Sequence, residues 1–199
     1  MTVENNELLW AKVKPDAIIP TKGDEDAGYD IYPCFEEDYI VIPPHETKMI
    51  PTGIASAFSD DFVMVLKERG STGTKGIAQR CGVLDSGYRN EWFVPITNTT
   101  DKTLLISKIT EEDIVDKHLP YKSDSDFRVF DEVNSAYLYF MSIKDKTILE
   151  NTIIYPYSKA ICQALLLPVP KVTTKEISYE ELKSIESNRG TGMLGSSGK

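Results

Sequence analysis

The sequence predicts an all-β chain: a sandwich, a jelly roll or a barrel. Three observations predict it. Short apolar runs of β-type residues recur, Gly-, Pro- and Asp-containing turns separate them, and helical periodicity is weak. Residues 26–31 (DAGYDI) read as a turn running into a strand. Residues 39–42 (YIVI) read as a strand that stops at Pro43-Pro44. Residues 62–66 (FVMVL) are continuously apolar, the pattern of a buried strand. Residues 92–96 are apolar but carry Pro95, which predicts an edge strand or a bulge. Residues 104–109 (LLISKI), 136–143 (AYLYFMSI) and 161–169 (ICQALLLPV) complete the strands. The one helix expected is 178–185 (SYEELKSI), where Ser178 caps and Glu181 stands three residues later to close a capping box. No internal repeat is present. Residues 99–152 read as an inserted excursion with its own aromatic residues, among them Tyr121, Phe127, Phe130 and Tyr137.

Composition narrows the class. A length of 199 residues fits one sizeable domain or two very small ones. No apolar run approaches the roughly 18 residues of a membrane-crossing helix, so no membrane association is expected. The start, MTVENNELLWAKVK, lacks a basic region followed by an apolar one, which predicts a cytoplasmic protein. A formal charge of −9 repels nucleic acid polymers, so phosphate binding has to come from a local site. Cys34, Cys81 and Cys162 have no C-x-x-C spacing and suit neither a disulfide framework nor a zinc site. His45 and His118 are the only histidines, and neither lies near other chemistry. Carboxylates, backbone amides and basic side chains are left to carry any catalysis.

Four segments hold such groups. The first is Asp26-Ala27-Gly28-Tyr29-Asp30-Ile31. The second, Glu68-Arg69-Gly70-Ser71-Thr72-Gly73-Thr74-Lys75-Gly76, follows a strand with small residues that let backbone N–H groups approach an anion, and with Arg69 and Lys75 for charge. It is not a Walker loop, because G-x-x-x-x-G-K-[ST] is absent. The third is Gly82-Val83-Leu84-Asp85-Ser86-Gly87-Tyr88-Arg89, with D-S-G turn chemistry, Asp85 as a base at the tip and Tyr88 offering a ring. The fourth is residues 189–199, a glycine-rich tail bracketed by Arg189 and Lys199 that can wrap a phosphate chain or simply fray.

Taken in this order, the segments make the sequence resemble the trimeric dUTP pyrophosphatase (dUTPase) family. Its five ordered motifs are A-G-x-D-L, P-R-S-G-L-x-x-K, G-V-I-D-x-x-Y-R-G, G-x-R-I-A-Q-L and R-G-x-G-G-F-G-S-T-G. The matching segments are residues 27–31, 69–75, 82–90, 158–165 and 189–198. The departures are Gly70 where the motif has serine (Ser71 follows), Lys159-Ala160 where it has Asp-Arg, and Leu194 for the tail phenylalanine. The third and fourth motifs stand further apart than usual, as in some phage-encoded dUTPases, and the excess falls in residues 99–152.

The resemblance implies a jelly-roll-like homotrimer with active sites shared between subunits. It divides the chain into a β domain, 1–188, with the insertion at about 99–152, and a mobile arm, 189–199. It implies hydrolysis of dUTP to dUMP and pyrophosphate with Mg²⁺ on the triphosphate, by positioning and charge stabilisation. This keeps uracil out of DNA and supplies dUMP for thymidylate synthesis. Asp85 matches the carboxylate that activates the water. Arg69, Gly70, Ser71 and Gln163 are implied at the phosphates, and Asp30 at metal-bound waters in the outer sphere. The hairpin about 79–84, with Gln79, Gly82, Val83 and Leu84, is implied to read uracil through its backbone, and Tyr88 to exclude a 2′-hydroxyl. Arg189 is implied at the γ-phosphate, with Leu194, Gly195, Ser196 and Ser197 closing over the nucleotide.

Two alternatives are weighed. The related dCTP deaminases carry their catalytic glutamate ten residues after the third-motif aspartate, where this chain has Pro95, which cannot transfer a proton. Phage-type relatives also act by binding bacterial repressors, and the insertion offers a docking surface for such a partner.

Overall fold

The computed structural model describes residues 3, 7–80, 82–111, 113–114, 127–131, 136–140, 150–188 and 190. Among the described residues, fourteen strands and two short helices are bounded. They are β1 (Leu8–Lys12), β2 (Tyr29–Ile31), β3 (Tyr39–Ile42), β4 (Thr47–Pro51), β5 (Ile54–Phe58), β6 (Phe62–Lys67), α1 (Gly70–Gly73), β7 (Ile77–Gln79), β8 (Val83–Leu84), β9 (Phe93–Asn98), β10 (Thr103–Ser107), β11 (Phe127–Asp131), β12 (Ala136–Phe140), β13 (Thr152–Pro156), β14 (Cys162–Pro168) and α2 (Tyr179–Ser184). The all-β expectation holds. The chain divides into two compact units, Met1–Val169 and Pro170–Lys199.

Four-, three- and two-stranded sheets build the first unit. Their orders are β2-β14-β6-β8, β13-β10-β3, β4-β9-β7, β1-β5 and β11-β12. Non-sequential neighbours such as β14 between β2 and β6 are what a jelly-roll-like winding requires. Ile31, Ile42, Ile50, Met64, Leu66 and Trp92 belong to one buried cluster. β10 is buried on both faces: Leu104 and Ile106 enter that cluster, while Leu105 joins Val41 and Ile114 in a second. A strand covered on both sides needs no polar alternation, which explains the continuous LLI run. β10 also lies within the stretch 99–152, so the excursion proper starts only after this core strand.

One expectation is corrected. Pro95 does not mark an edge, because β9 is the central strand of β4-β9-β7. The reason lies in where the ladder ends. Pro95 O accepts from Arg80 N at 2.9 Å, one residue past the last β7 pair, Gln79 with Ile96. The missing N–H therefore faces the frayed end of β7, where its loss costs little. Gln79 Nε2 donates to the Arg80 carbonyl that proline cannot serve.

In the second unit, α2 starts as its sequence foretells. Ser178 Oγ accepts from Glu181 N at 3.1 Å, and Ser178 N donates to Glu181 Oε2 at 2.8 Å. Among the described residues no helix is long and apolar enough to cross a membrane.

Candidate active site

The four-stranded sheet lines up three of the candidate segments. Gln163 on β14 stands opposite Asp30 on β2 and opposite Lys67 on β6. Gln163 Nε2 donates to Glu68 O at 2.9 Å and so ties β14 to the exit of β6. Gly28 makes room for this: a Cβ there would stand 3.0 Å from Gln163 Oε1 and 3.2 Å from Leu165 Cδ2. The glycine of the first segment is thus a packing requirement of β14, which carries Gln163 and Leu165.

Arg69 leaves β6 and caps α1. Its Nε lies 3.0 Å from Asp30 Oδ1 and its Nη2 donates to Asp30 Oδ2 at 3.1 Å, a bidentate pair with both side chains 31% exposed. The pair fixes the plane of the guanidinium and leaves its other N–H groups for an anion. Thr72, buried beneath, accepts from Arg69 N at 3.1 Å and donates to Arg69 O at 2.9 Å. The Gly73 amide is spent on Arg69 O at 2.9 Å. The amides of Gly70 and Ser71 have no acceptor among the described residues, and a Cβ at Gly70 or Gly73 would meet nothing within 4 Å. Both features suit a surface open to an anion. Gly76, at φ +72°, closes the loop; its carbonyl accepts from Thr99 N and Thr99 Oγ1, each at 2.9 Å.

Tyr155, which the sequence reading does not single out, lies beside Arg69. This side chain is 1% exposed, and its hydroxyl donates to Ala160 O at 2.6 Å. Ser71, Arg69 and Asp30 are near enough to act on the same hydroxyl electrostatically. Burial raises the phenol above its usual range, against the lowering effect of Ser71 and Arg69. The available signal was a tyrosine just ahead of the fourth motif, an apolar position in a strand pattern. Beneath the pair, burial first and then the Asp30 charge push the Cys162 thiol far up, which makes it a packing residue and not a nucleophile.

The third segment forms a hairpin beside β6. Gly82 O accepts from Leu66 N at 2.7 Å, and a Cβ at Gly82 would stand 2.9 Å from Leu66 O. Val83 and Leu84 pair with Val65 and Met64. Asp85 is exposed and opens a turn in which its carbonyl accepts from Tyr88 N at 3.1 Å. Tyr88 is 38% exposed, with its hydroxyl donating to Glu91 O at 3.0 Å.

The structure therefore brings Asp30, Arg69, Ser71 and Gln163 together but not Asp85. Asp85 follows Leu84, which pairs with Met64, whereas Asp30 and Gln163 share the row of Lys67. Three residues of strand separate the two rows, about 10 Å at ~3.3 Å per residue. Arg189, Leu194, Gly195, Ser196 and Ser197 lie outside the described residues. Among the described residues no group of three or more His, Cys, Asp or Glu side chains is arranged to hold a metal ion.

The dUTPase family model matches residues 14–110. A deoxyuridine 5′-triphosphate nucleotidohydrolase of Leptospira interrogans is 31% identical over 104 residues, covering 50% of this chain and 71% of its own length. One of Clostridioides difficile is 36% identical over 97 residues, covering 46% and 64%. The dUTPase of Staphylococcus bacteriophage 80alpha, solved with dUpNHpp, superposes with a TM-score of 0.64 at 22% identity over 98% of this chain and 99% of that one. The dUTPase of phage phi11 of S. aureus, whose structure visualises a species-specific insert, gives 0.56 at 20% identity over 86% and 96%. A variant of the phi11 enzyme coordinates a structural Mg(II) ion.

Proposed function

Because the chain belongs to the dUTPase family, we propose that its Asp30–Arg69–Gln163 row and its 79–88 hairpin are the two halves of a dUTP-hydrolysing site. The protein is a dUTP diphosphatase, cleaving dUTP to dUMP and pyrophosphate. The observation that carries the site is the guanidinium of Arg69, locked by Asp30 at 3.0 Å beside a turn whose Gly70 and Ser71 amides have no acceptor among the described residues. Arg69, Ser71 and the amides of Gly70 and Ser71 hold the triphosphate, and Gln163 keeps β14 in register beneath them.

The donor set fits a metal that arrives with the nucleotide. Both Asp30 oxygens already accept from Arg69, which leaves them facing metal-bound waters and not the ion itself. Mg²⁺ supplies charge neutralisation along the triphosphate. Asp85 takes the proton of the attacking water; its exposed place at the hairpin tip lets it reach a nucleotide held elsewhere. Uracil lies on the hairpin backbone, and the Tyr88 ring under the deoxyribose disfavours a 2′-hydroxyl. Arg189 and the residues from Leu194 to Ser197 close over the phosphates.

The two halves stand apart within one chain, which supports a homotrimer in which one subunit supplies the Asp30–Arg69–Gln163 row and the next supplies Asp85. Buried free thiols at Cys34 and Cys162 support a reducing, cytoplasmic setting. Pyrophosphate release from dUTP, dCTP, dTTP and UTP with Mg²⁺ tests the reading: hydrolysis of dUTP alone supports it, and ammonia release from dCTP would replace it with deamination.

A second role rests on the likeness to the 80alpha enzyme, described as one of the phage dUTPases that control transfer of virulence genes. The hairpin of β11 and β12 within the insertion is its candidate contact for a repressor protein. Loss of repressor capture, with dUTP hydrolysis kept, on replacing residues 115–149 by a Gly/Ser linker tests that role.

A further inference from the structure

We propose that Glu91 is a positioning residue for dUTP hydrolysis, pinning the loop that carries Asp85 and Tyr88 to the protein body by accepting from Gly53 N. The inference rests on the dUTP reading of this site and deepens it.

Residues 85–91 join β8 to β9. Among the described residues, the hydrogen bonds of this loop stay inside it, with one exception. Tyr88 N donates to Asp85 O at 3.1 Å, and the Tyr88 hydroxyl donates to Glu91 O at 3.0 Å. Arg89 Nη1 donates to Tyr88 O at 3.0 Å and to Ser86 O. The exception is the Glu91 carboxylate. Its Oε1 accepts from Gly53 N at 2.8 Å and lies 3.8 Å from Lys14 Nζ.

The Glu91 side chain is only 14% exposed, and a carboxylate drawn that far from water needs partners waiting inside. Both partners are held from behind. Gly53 stands at φ +65° between β4 and β5, and a Cβ there would come within 2.9 Å of Ala17 Cβ and Cys34 Sγ. The Gly53 carbonyl accepts from Val13 N at 2.7 Å and from Lys14 N at 3.2 Å. Lys14 Nζ donates to Cys34 O at 3.2 Å, which keeps the ammonium beside the carboxylate. The next residue continues the seam: Trp92 O accepts from Thr52 Oγ1 at 2.7 Å, and Trp92 N donates to Ile54 O at 2.8 Å. Glu91 thus faces two ways. Its carboxylate grips a fixed turn, and its carbonyl holds the hydroxyl of the exposed Tyr88 ring. A ring and a base hung on a fixed point meet the nucleotide already placed.

Two variants separate the acceptor from the charge. Glu91→Met keeps the length and removes the acceptor, whereas Glu91→Gln keeps an acceptor oxygen and removes the charge. In Glu91→Met, kcat for dUTP should fall and the UTP-to-dUTP ratio of kcat/KM should rise, each on the order of tenfold, as for one hydrogen bond lost from a charged acceptor. Inhibition by pyrophosphate, which calls on the Arg69 half alone, should stay as in wild type. Glu91→Gln should bring both values back near wild type. If Glu91→Met does not fold, Glu91→Asp, whose shorter side chain withdraws the oxygen from Gly53 N, takes its place with the same outcomes expected. A lowered denaturant midpoint with unchanged kcat and UTP-to-dUTP ratio would overturn the role. So would a Glu91→Gln chain as impaired as the variant that loses the contact, or a matching loss of pyrophosphate inhibition. In each of these cases the wild type still hydrolyses dUTP; a wild type that does not would overturn the dUTP reading itself.

Discussion

Asp30 and Arg69 lie 39 positions apart in sequence, yet both carboxylate oxygens of the first meet the guanidinium of the second, at 3.0 and 3.1 Å. The carboxylate comes from the middle of β2 and the guanidinium from the cap of α1, two residues past β6, and β14 lies between those strands. Asp30→Asn removes the charge and one acceptor while keeping the size. We expect a stability loss of about 1 kcal/mol, since the pair is partly exposed, and a fall in kcat/KM on the order of 10²-fold from a misaimed Arg69. Urea melts beside steady-state kinetics check the split; a large loss of stability with normal kinetics would contradict it.

A site shared between subunits makes a distinctive forecast. Asp85→Asn should fold, bind dUTP and lose most turnover, by roughly 10²–10⁴-fold. Arg69→Ala should also be nearly inactive. Co-refolding the two in equal amounts should restore about a quarter of the wild-type sites, because heterologous contacts reunite an intact half from each chain. Mixtures that stay inactive place both residues in one chain's site.

Gly82→Ala sets a Cβ 2.9 Å from the Leu66 carbonyl, a backbone atom that cannot swing away. We expect a loss of roughly 2 kcal/mol from forced separation of β8 and β6. Denaturant midpoints measure it, and the nucleoside deoxyuridine should bind more weakly in parallel.

Tyr88→Ala should raise activity on UTP relative to dUTP. The ring is exposed and its hydroxyl donates to Glu91 O, so its loss opens room without touching the core. An unchanged UTP-to-dUTP ratio in competition assays moves discrimination elsewhere.

Acid should loosen α2 before the β unit. Backbone and side-chain bonds from Ser178 hold the Glu181 carboxyl below its ordinary value. A depressed carboxyl stabilises the cap above its unfolded pKa and loses that contribution as pH falls through the folded value. Amide chemical shifts of residues 179–184 should therefore move toward coil below about pH 4, near the free glutamate value. Unaltered shifts there would show that the cap adds nothing.

Much of this architecture was legible in the residues. Ser178 and Glu181 announce their helix because capping is local chemistry. Residues 39–42 and 62–66 announce strands through unbroken apolar runs. β4 (TKMIP) and β5 (IASAF) were missed because Lys48 and Ser56 interrupt the apolar pattern, and tertiary burial of Ile50, Ile54 and Phe58 settles them instead. Pro95 misled because edge or centre is a property of the neighbours, and only the position of Arg80 reveals the ladder's end. Motif order points to Asp30, Arg69 and Gln163, which the fold brings close together, whereas Tyr155 belongs to no motif and its surroundings are set by tertiary packing. Asp85 was assigned from the resemblance, and nothing local to its turn sets it apart from an ordinary one.

The pairing of β10 with β13 constrains how this protein can be rebuilt. The two strands run in the same direction, Thr103 beside Thr152 and Ser107 beside Pro156. The chain leaving Ser107 must therefore travel back along the strand before it can enter Thr152, which no tight turn allows. Parallel neighbours call for a crossover of about a dozen residues or more. A minimised version of the enzyme, or a chimera that borrows another loop, has a floor on its length set by this geometry. Above the floor the sequence is free, since each doubling of a flexible loop costs only about 0.6 kcal/mol. A cut made at residue 99 would discard a strand buried on both faces, whereas one made past Ile114 keeps both hydrophobic clusters whole.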